Sequence, residues 1–126
     1  MSKYDELCTK LEKTNQTFEY SKQTIEDKLS NGLATLLGCS KEFIIIQFSQ
    51  PRIEDSMIVC DFSIQITIQN LKVKDIVSLT NLSYLYGKKN GNDYFAINYQ
   101  NNKFNISNNT DGFCNIVFCN LSTKYL

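Results

Sequence analysis

The sequence predicts an α+β domain. An N-terminal helical segment, as one long helix or two shorter ones, packs on one face of a five- to six-stranded, mostly antiparallel sheet. Three observations carry that prediction. An apolar stripe with helical spacing runs from Tyr4 to Leu36. Residues 57–69 alternate strictly between apolar and polar side chains, as a strand with one buried face does. Asn90-Gly91 marks a tight hairpin, because a type I′ turn needs positive φ at both central residues.

Residues 3–37 read as helix, and 1–38 as the helical part of a single domain. Ser2 and Asp5 have the spacing of a capping box, in which side chains satisfy backbone N–H groups left free at a helix start. Tyr4, Leu7, Cys8 and Leu11 fall at i, i+3, i+4 and i+7, and Phe18, Ile25, Leu29, Leu33 and Leu36 continue the stripe. Gly38 is a natural stop, since glycine takes the left-handed conformation without a Cβ penalty. Thr14-Asn15-Gln16-Thr17 has poor helix propensity, so a kink or break is expected there as readily as a continuous helix. Tyr4, Leu11, Phe18 and Ile25 are spaced seven apart, but Thr14, Ser21 and Lys28 fill the companion positions. A coiled-coil seam needs both sets apolar, so packing on a sheet is the better reading.

Residues 42–126 are assigned to the sheet. Phe43 to Phe48 form its first strand, and Pro51 breaks it inside a polar loop, residues 50–56. Within 57–69, Ile58, Cys60, Phe62, Ile64, Ile66 and Ile68 share one face, opposite Asp61, Ser63, Gln65, Thr67 and Gln69. Residues 71–80 fit either a short helix or a crossing loop. The Asn90-Gly91 turn sets Tyr86 opposite Phe95, Tyr84 opposite Ile97 and Leu82 opposite Tyr99. A second two-residue turn at Asn101-Asn102 sets Tyr99 opposite Phe104 and Ile97 opposite Ile106. Both turns gather the large apolar residues on one face, which a one-residue slip would scatter. Asn108 to Gly112 then turn into a last strand that adds Cys114, Ile116 and Phe118 to that face and completes a C-terminal meander.

Composition narrows the chemistry. The 126 residues suit one domain with a real core, and 42% hydrophobic with 21% charged residues is ordinary for a folded chain. Thirteen basic residues balance thirteen acidic ones, so nonspecific nucleic-acid binding, which feeds on a basic surplus, is not expected. The polar first residues lack the apolar core of a signal peptide, and no apolar run is long enough to span a bilayer. A cytoplasmic protein without a membrane segment is expected. Five cysteines, odd in number and without a CxxC pair, then read as small buried apolar residues. The Asn-x-Ser/Thr matches follow from an Asn-rich composition. There is no histidine, which removes histidine-activated nucleophiles, histidine acid–base chemistry and histidine-containing metal sites. Neither a metal nor a cofactor is expected.

What remains points to binding. On the face opposite the apolar one, Ser83, Asn98 and Asn105 fall in a row, completed by Asn115 if Phe104 faces Ile116. Lys103 sits beside it, and Tyr94 and Phe113 lie on the same face. Amide side chains both donate and accept, so this row could read a polar ligand between aromatic walls. Lys88 and Lys89 at the hairpin tip would add charge for an anionic one such as a nucleotide. The plainer readings are a solvated polar face and a solvated turn. A tyrosine-rich surface also suits an interface, and four of the seven tyrosines lie between residues 84 and 99. The expected function is a non-catalytic binding protein, a homo-oligomer that sequesters a small polar or anionic molecule or engages a protein partner. The compact, motif-free, Asn/Lys-rich character would suit a phage or mobile-element accessory protein. The alternatives are a small pocket enzyme using Tyr and Asp as acid and base, and a protein-specific chaperone. A carboxylate such as Asp61 or Asp93 buried against a tyrosine would favour the enzyme.

Overall fold

A computed structural model describes residues 2–126. Among these residues the order is helix α1 (Lys3–Leu37), a short 3-10 turn (Lys41–Phe43), and strands β1 (Ile44–Phe48), β2 (Arg52–Glu54), β3 (Met57–Gln69), β4 (Lys74–Lys89), β5 (Asn92–Tyr99) and β6 (Asn102–Asn105). Helix α2 (Asp111–Ser122) closes it. The six strands form one antiparallel sheet in the order β1-β3-β4-β5-β6. β2 shares an edge of β3 with β1, pairing with Val59, Ile58 and Met57 while β1 pairs with residues 62–66. The predicted fold class is the observed one, with the helices together on one face.

α1 is continuous. Ser2 Oγ accepts from the Asp5 N–H at 3.1 Å, and Asp5 and Glu6 supply negative charge to the positive end of the helix dipole. No break occurs at residues 14–17; Thr17 donates its hydroxyl to the Lys13 carbonyl at 2.9 Å, within the helical ladder. Gly38 ends the helix at φ 69°, and the N–H groups of Gly38 and Cys39 both donate to the Ala34 carbonyl.

Ile25, Leu29 and Leu33 of α1 are fully buried against the inner sheet face, which presents Ile44, Phe62, Ile64, Ile66, Val77, Leu82, Tyr84, Phe95 and Ile97. The one buried polar residue among those described, Ser21, is satisfied: its hydroxyl meets the Tyr84 hydroxyl at 2.7 Å and the Phe18 carbonyl at 2.8 Å. Burial pushes the Tyr84 phenol well above its ordinary pKa, so it stays protonated in this pair.

The Asn90-Gly91 turn has φ 53° and 80°, and Tyr86 faces Phe95 and Tyr84 faces Ile97 as expected. The ladder ends at Ser83–Asn98, one pair before Leu82 and Tyr99.

Five expectations need correction. Of residues 71–80 only Leu71 to Val73 form a loop; Lys74 to Thr80, expected as short helix or crossing loop, belong to β4. The alternation that marks a strand changes phase there: Val77 and Leu79 face inward, then Leu82, Tyr84 and Tyr86 do. A bulge absorbs the extra residue, shifting the register between Phe62–Leu82 and Ile64–Leu79, with Asn81 at φ 61°. The polar loop after Pro51 holds β2 and its own turn, Asp55-Ser56, both at positive φ. The second hairpin turns at Gln100-Asn101, not Asn101-Asn102, so Ile97 faces Phe104 and Asn98 faces Lys103. That register differs by two residues from the expected one, so no side chain changes face, and Ile106 is still buried.

The fourth correction is the largest. Residues 111–122 are helix, and the last strand expected at Cys114, Ile116 and Phe118 does not exist. The buried set is Phe113, Cys114, Val117 and Leu121, spaced for a helix rather than a strand. α2 covers the part of the inner face that α1 leaves open, with Phe113 edge-on to Tyr99 and Phe104. Gly32 lets the two helices approach, since a Cβ there would lie 2.3 Å from Thr110 Oγ1. The cysteines are divided: Cys60 and Cys114 are buried, while Cys8 and Cys119 are exposed, against the expectation that all are buried.

Over residues 3–17 no side chain of α1 is buried. Two substitutions on one stripe should therefore behave differently. Leu29→Ala is expected to cost about 2–5 kcal/mol in urea unfolding. Leu7→Ala, with Leu7 64% exposed, is expected to stay within about 0.5 kcal/mol of wild type. Comparable losses at both positions would contradict this packing.

Candidate functional site

The outer sheet face gathers five of the eight expected ligand-binding residues. Tyr94, Asn98, Lys103 and Asn105 lie on it together, and Lys89 reaches it from the hairpin tip. Its polar row runs across four strands as Asp61, Ser83, Asn98 and Lys103, each paired with the next. Asn105 is one step out of that row, opposite Ala96. Its Oδ1 is already occupied, accepting from the Ser107 N–H at 2.9 Å.

Tyr94 is the organising residue of this face. Lys89 Nζ lies 4.0 Å and Lys103 Nζ 5.7 Å from its ring centroid, and the ring is only 9% exposed. Cations are drawn to the electron-rich face of an aromatic ring. The aromatic wall is thus spent on the protein's own lysines.

Three of the expected residues lie elsewhere. Lys88 points to the inner side and pairs with Asp93. Phe113 and Asn115 are on α2, so they cannot share the outer face. Phe113 is buried beneath the sheet, and Asn115 borders a groove of about 570 Å³ with Lys28, Gly32, Thr110 and Asp111. The physical reason is the helical conformation of residues 111–122, which removes the strand that would have carried them across.

Sequence reasoning missed an outer-face groove of about 560 Å³, lined by Gln47, Ser49, Asp61, Ser63, Asn81 and Ser83 among others. The β4 bulge shapes it, and the phase change between Leu79 and Leu82 was its only trace in the sequence. Arg52 borders this region, with Nη1 3.4 Å from Asp61 and Nε 2.9 Å from Glu54.

Asp93 accepts from the hydroxyls of Tyr20 at 2.6 Å and Tyr86 at 2.9 Å, and from Lys88 Nζ. These bonds, that from Lys88 foremost, hold the Asp93 carboxyl down at about 2; the same carboxylate raises the Tyr20 phenol, and burial, with the carboxylate second, raises that of Tyr86. An acid–base residue near neutral pH needs the opposite shift. Asp93 is instead a clamp. Tyr20 stands edge-on to Tyr86, which stacks on Phe95 at 4.7 Å, so the cluster fastens α1 to the β4–β5 hairpin.

Beyond the clamp Phe18 still packs against the core, but over residues 3–13 every side chain of α1 is exposed. Tyr4, Leu7 and Leu11 are 74%, 64% and 60% exposed, in line with the stripe that Ile25 and Leu29 continue under cover. This surface was visible in the sequence only as part of the stripe, which carries no mark of where the sheet ends.

Among the described residues there is no grouping of three or more His, Cys, Asp or Glu side chains placed to hold a metal ion. Burial raises the thiols of Cys60 and Cys114, which holds them protonated. No helix among those residues is long and apolar enough to cross a membrane. No family model, curated protein or solved structure matches the chain.

The clamp makes a pH prediction. Its folded-state pKa is depressed, so Asp93 stabilises the fold above the ordinary carboxylate value and that contribution fades as pH falls toward about 2. Asp93→Asn is expected to lower the urea midpoint at pH 7 and to lose part of the stability change between about pH 4 and 2. Urea titrations across that range measure both, and a variant that keeps the wild-type acid slope would rule out the clamp.

Proposed function

We propose that this chain is a non-catalytic protein-binding module that engages a partner protein through the N-terminal half of α1. One observation supports it above the others. The helix carries a single apolar stripe, buried at Ile25, Leu29 and Leu33 and bare over Tyr4, Leu7 and Leu11. Single exposed apolar residues are ordinary on any protein. Three in register on a helix that leaves its own sheet behind form a ready-made anchor row of the kind helical recognition uses.

Sequestration of a small polar or anionic molecule has one observation in its favour, the two ammonium groups of Lys89 and Lys103 on the outer face. Small-molecule sites bury most of their ligand. The outer-face groove is open along the sheet, and the Tyr94 ring is already covered. A protein partner fits these surfaces better than a small molecule does.

The test is a double variant, Leu7→Lys with Leu11→Lys, compared with Lys103→Ala on the opposite face. Both side chains replaced in the double variant are exposed, so circular dichroism and the thermal midpoint should stay near wild type. Chemical cross-linking at native expression, followed by reciprocal purification, is expected to recover one stoichiometric partner with wild type and Lys103→Ala. Recovery should fall at least about tenfold with the double variant. A partner retained by the double variant, or lost with Lys103→Ala, would reject this reading.

A further inference from the structure

β4 outruns the strand beside it. β5 pairs with it only from Ser83 to Lys89, and the Gln100-Asn101 turn then carries the chain back into β6. From Lys74 to Thr80, β4 has β3 on one side and, among the described residues, no strand on the other. Asn70 donates its N–H to the Val73 carbonyl at 2.9 Å, so the hydrogen-bonded pairs of this ribbon are Asn70–Val73, Ile68–Asp75 and Ile66–Val77. The N–H and C=O groups of Lys74, Ile76 and Ser78 therefore point away from β3, into an open notch. The helices do not fill it: Lys74, Ile76, Ser78 and Thr80 are all exposed, and Phe118 and Leu121 of α2 line a groove with Ile66 and Ile68 on the β3 side.

We propose that this notch takes the same segment of a second copy, with β4 pairing antiparallel to β4 about a twofold axis at Ile76. An edge of alternating donors and acceptors is completed by an extended strand. Backbone direction allows only registers that set the outward residues against one another. Pairing about Asp75 opposes that carboxylate to its own copy. Pairing about Val77 drives the second copy's Val73 against Asn81, where the Gln100-Asn101 turn closes the notch. Pairing about Ile76 has neither fault, and the second copy's chain then turns at Lys72, opposite Thr80, just short of that closure. Ile76 meets itself and Lys74 meets Ser78 on the outer face, while Val73 meets Leu79 on the inner. Ile76 and Val73, 49% and 63% exposed, gain apolar neighbours, and no like charges lie opposite each other. Asp75 Oδ1, which accepts from the Ile76 N–H at 2.9 Å, yields that donor to the second copy's carbonyl. Its Oδ2 keeps the Tyr125 hydroxyl at 2.6 Å. Length, charge and apolar match thus select a second copy over a foreign strand.

The notch lies at the other end of the sheet from the bare half of α1. Tyr20 meets Asp93 beside the Asn90-Gly91 turn, whereas Leu37 borders a groove with Ile68 and Gln69. The dimer is therefore independent of docking on Tyr4, Leu7 and Leu11, and it presents two such stripes.

Sedimentation of the full chain from about 1 to about 300 µM is expected to show a reversible dimer, as a small interface gives. Reducing conditions exclude disulfides through the exposed Cys8 and Cys119. Ile76→Lys and Ile76→Glu each set like charges face to face on the axis, and each should weaken the dimer at least about tenfold. Mixed one to one, the two variants set lysine against glutamate and should dimerise again. Ile76 is half-exposed, so the circular dichroism of both variants should match wild type. A wild type that stays monomeric throughout would overturn the second copy as occupant and leave the edge to a strand of another protein. A dimer that survives both variants, or that Leu7→Lys with Leu11→Lys dissociates, would place the contact elsewhere and overturn the inference. Monomeric variants that stay apart when mixed would overturn the twofold pairing at Ile76.

Discussion

One mismatch organises this protein: α1 is longer than the sheet it packs on. Its 35 residues extend about 52 Å, but its buried residues, Ser21, Ile25, Leu29, Leu33 and Ala34, all lie in the C-terminal half. Burial of Ile25, Leu29 and Leu33 under the β1-β3-β4-β5 strands supplies most of what holds helix to sheet, because apolar area removed from water is the largest favourable contribution to folding. The Asp93 clamp marks where that cover stops. Two tyrosine hydroxyls and an ammonium converge on one carboxylate, at the turn of α1 where the apolar stripe passes from buried to bare.

An uncovered helix of this kind is stabilised by little besides local interactions. Short helices are marginal in water without tertiary packing, and Thr14-Asn15-Gln16-Thr17 weakens this one further. The Ser2 cap, the acidic first turn and continuity with the buried half work in the opposite direction. A surface held in this balance gains order and buried apolar area together when a partner covers it, which is why the bare stripe carries the functional proposal.

How far the sequence could be read follows from the same physics. The strand at 57–69 and the Asn90-Gly91 turn were legible because each is a strong local signal: strict alternation in one case, an obligatory positive φ in the other. The face of every meander residue through Ile106 was legible despite the wrong second turn, since moving the turn by one residue shifts pairing by two and preserves parity. β4 was not legible before the bulge, because an extra residue at Thr80–Asn81 breaks the alternation that would announce a strand. α2 was misread because an apolar run such as Phe113 to Phe118 satisfies both periods when taken alone. Only the open inner face beside Tyr99 and Phe104 decides between them. Of the candidate site, Tyr94, Asn98, Lys103 and Asn105 came together because they depend on the legible hairpins. Phe113 and Asn115 did not, because they depend on α2. The bare half of α1 needed the structure, since a stripe does not record the length of its cover.

Amide hydrogen exchange of the free protein, resolved along α1, tests the central claim most directly. Amides over residues 7–17 should exchange at least about a hundredfold faster than those over 25–37, which open only with the core. Equal protection along the whole helix, persisting on dilution, would mean that the N-terminal half is already covered, and would contradict the account.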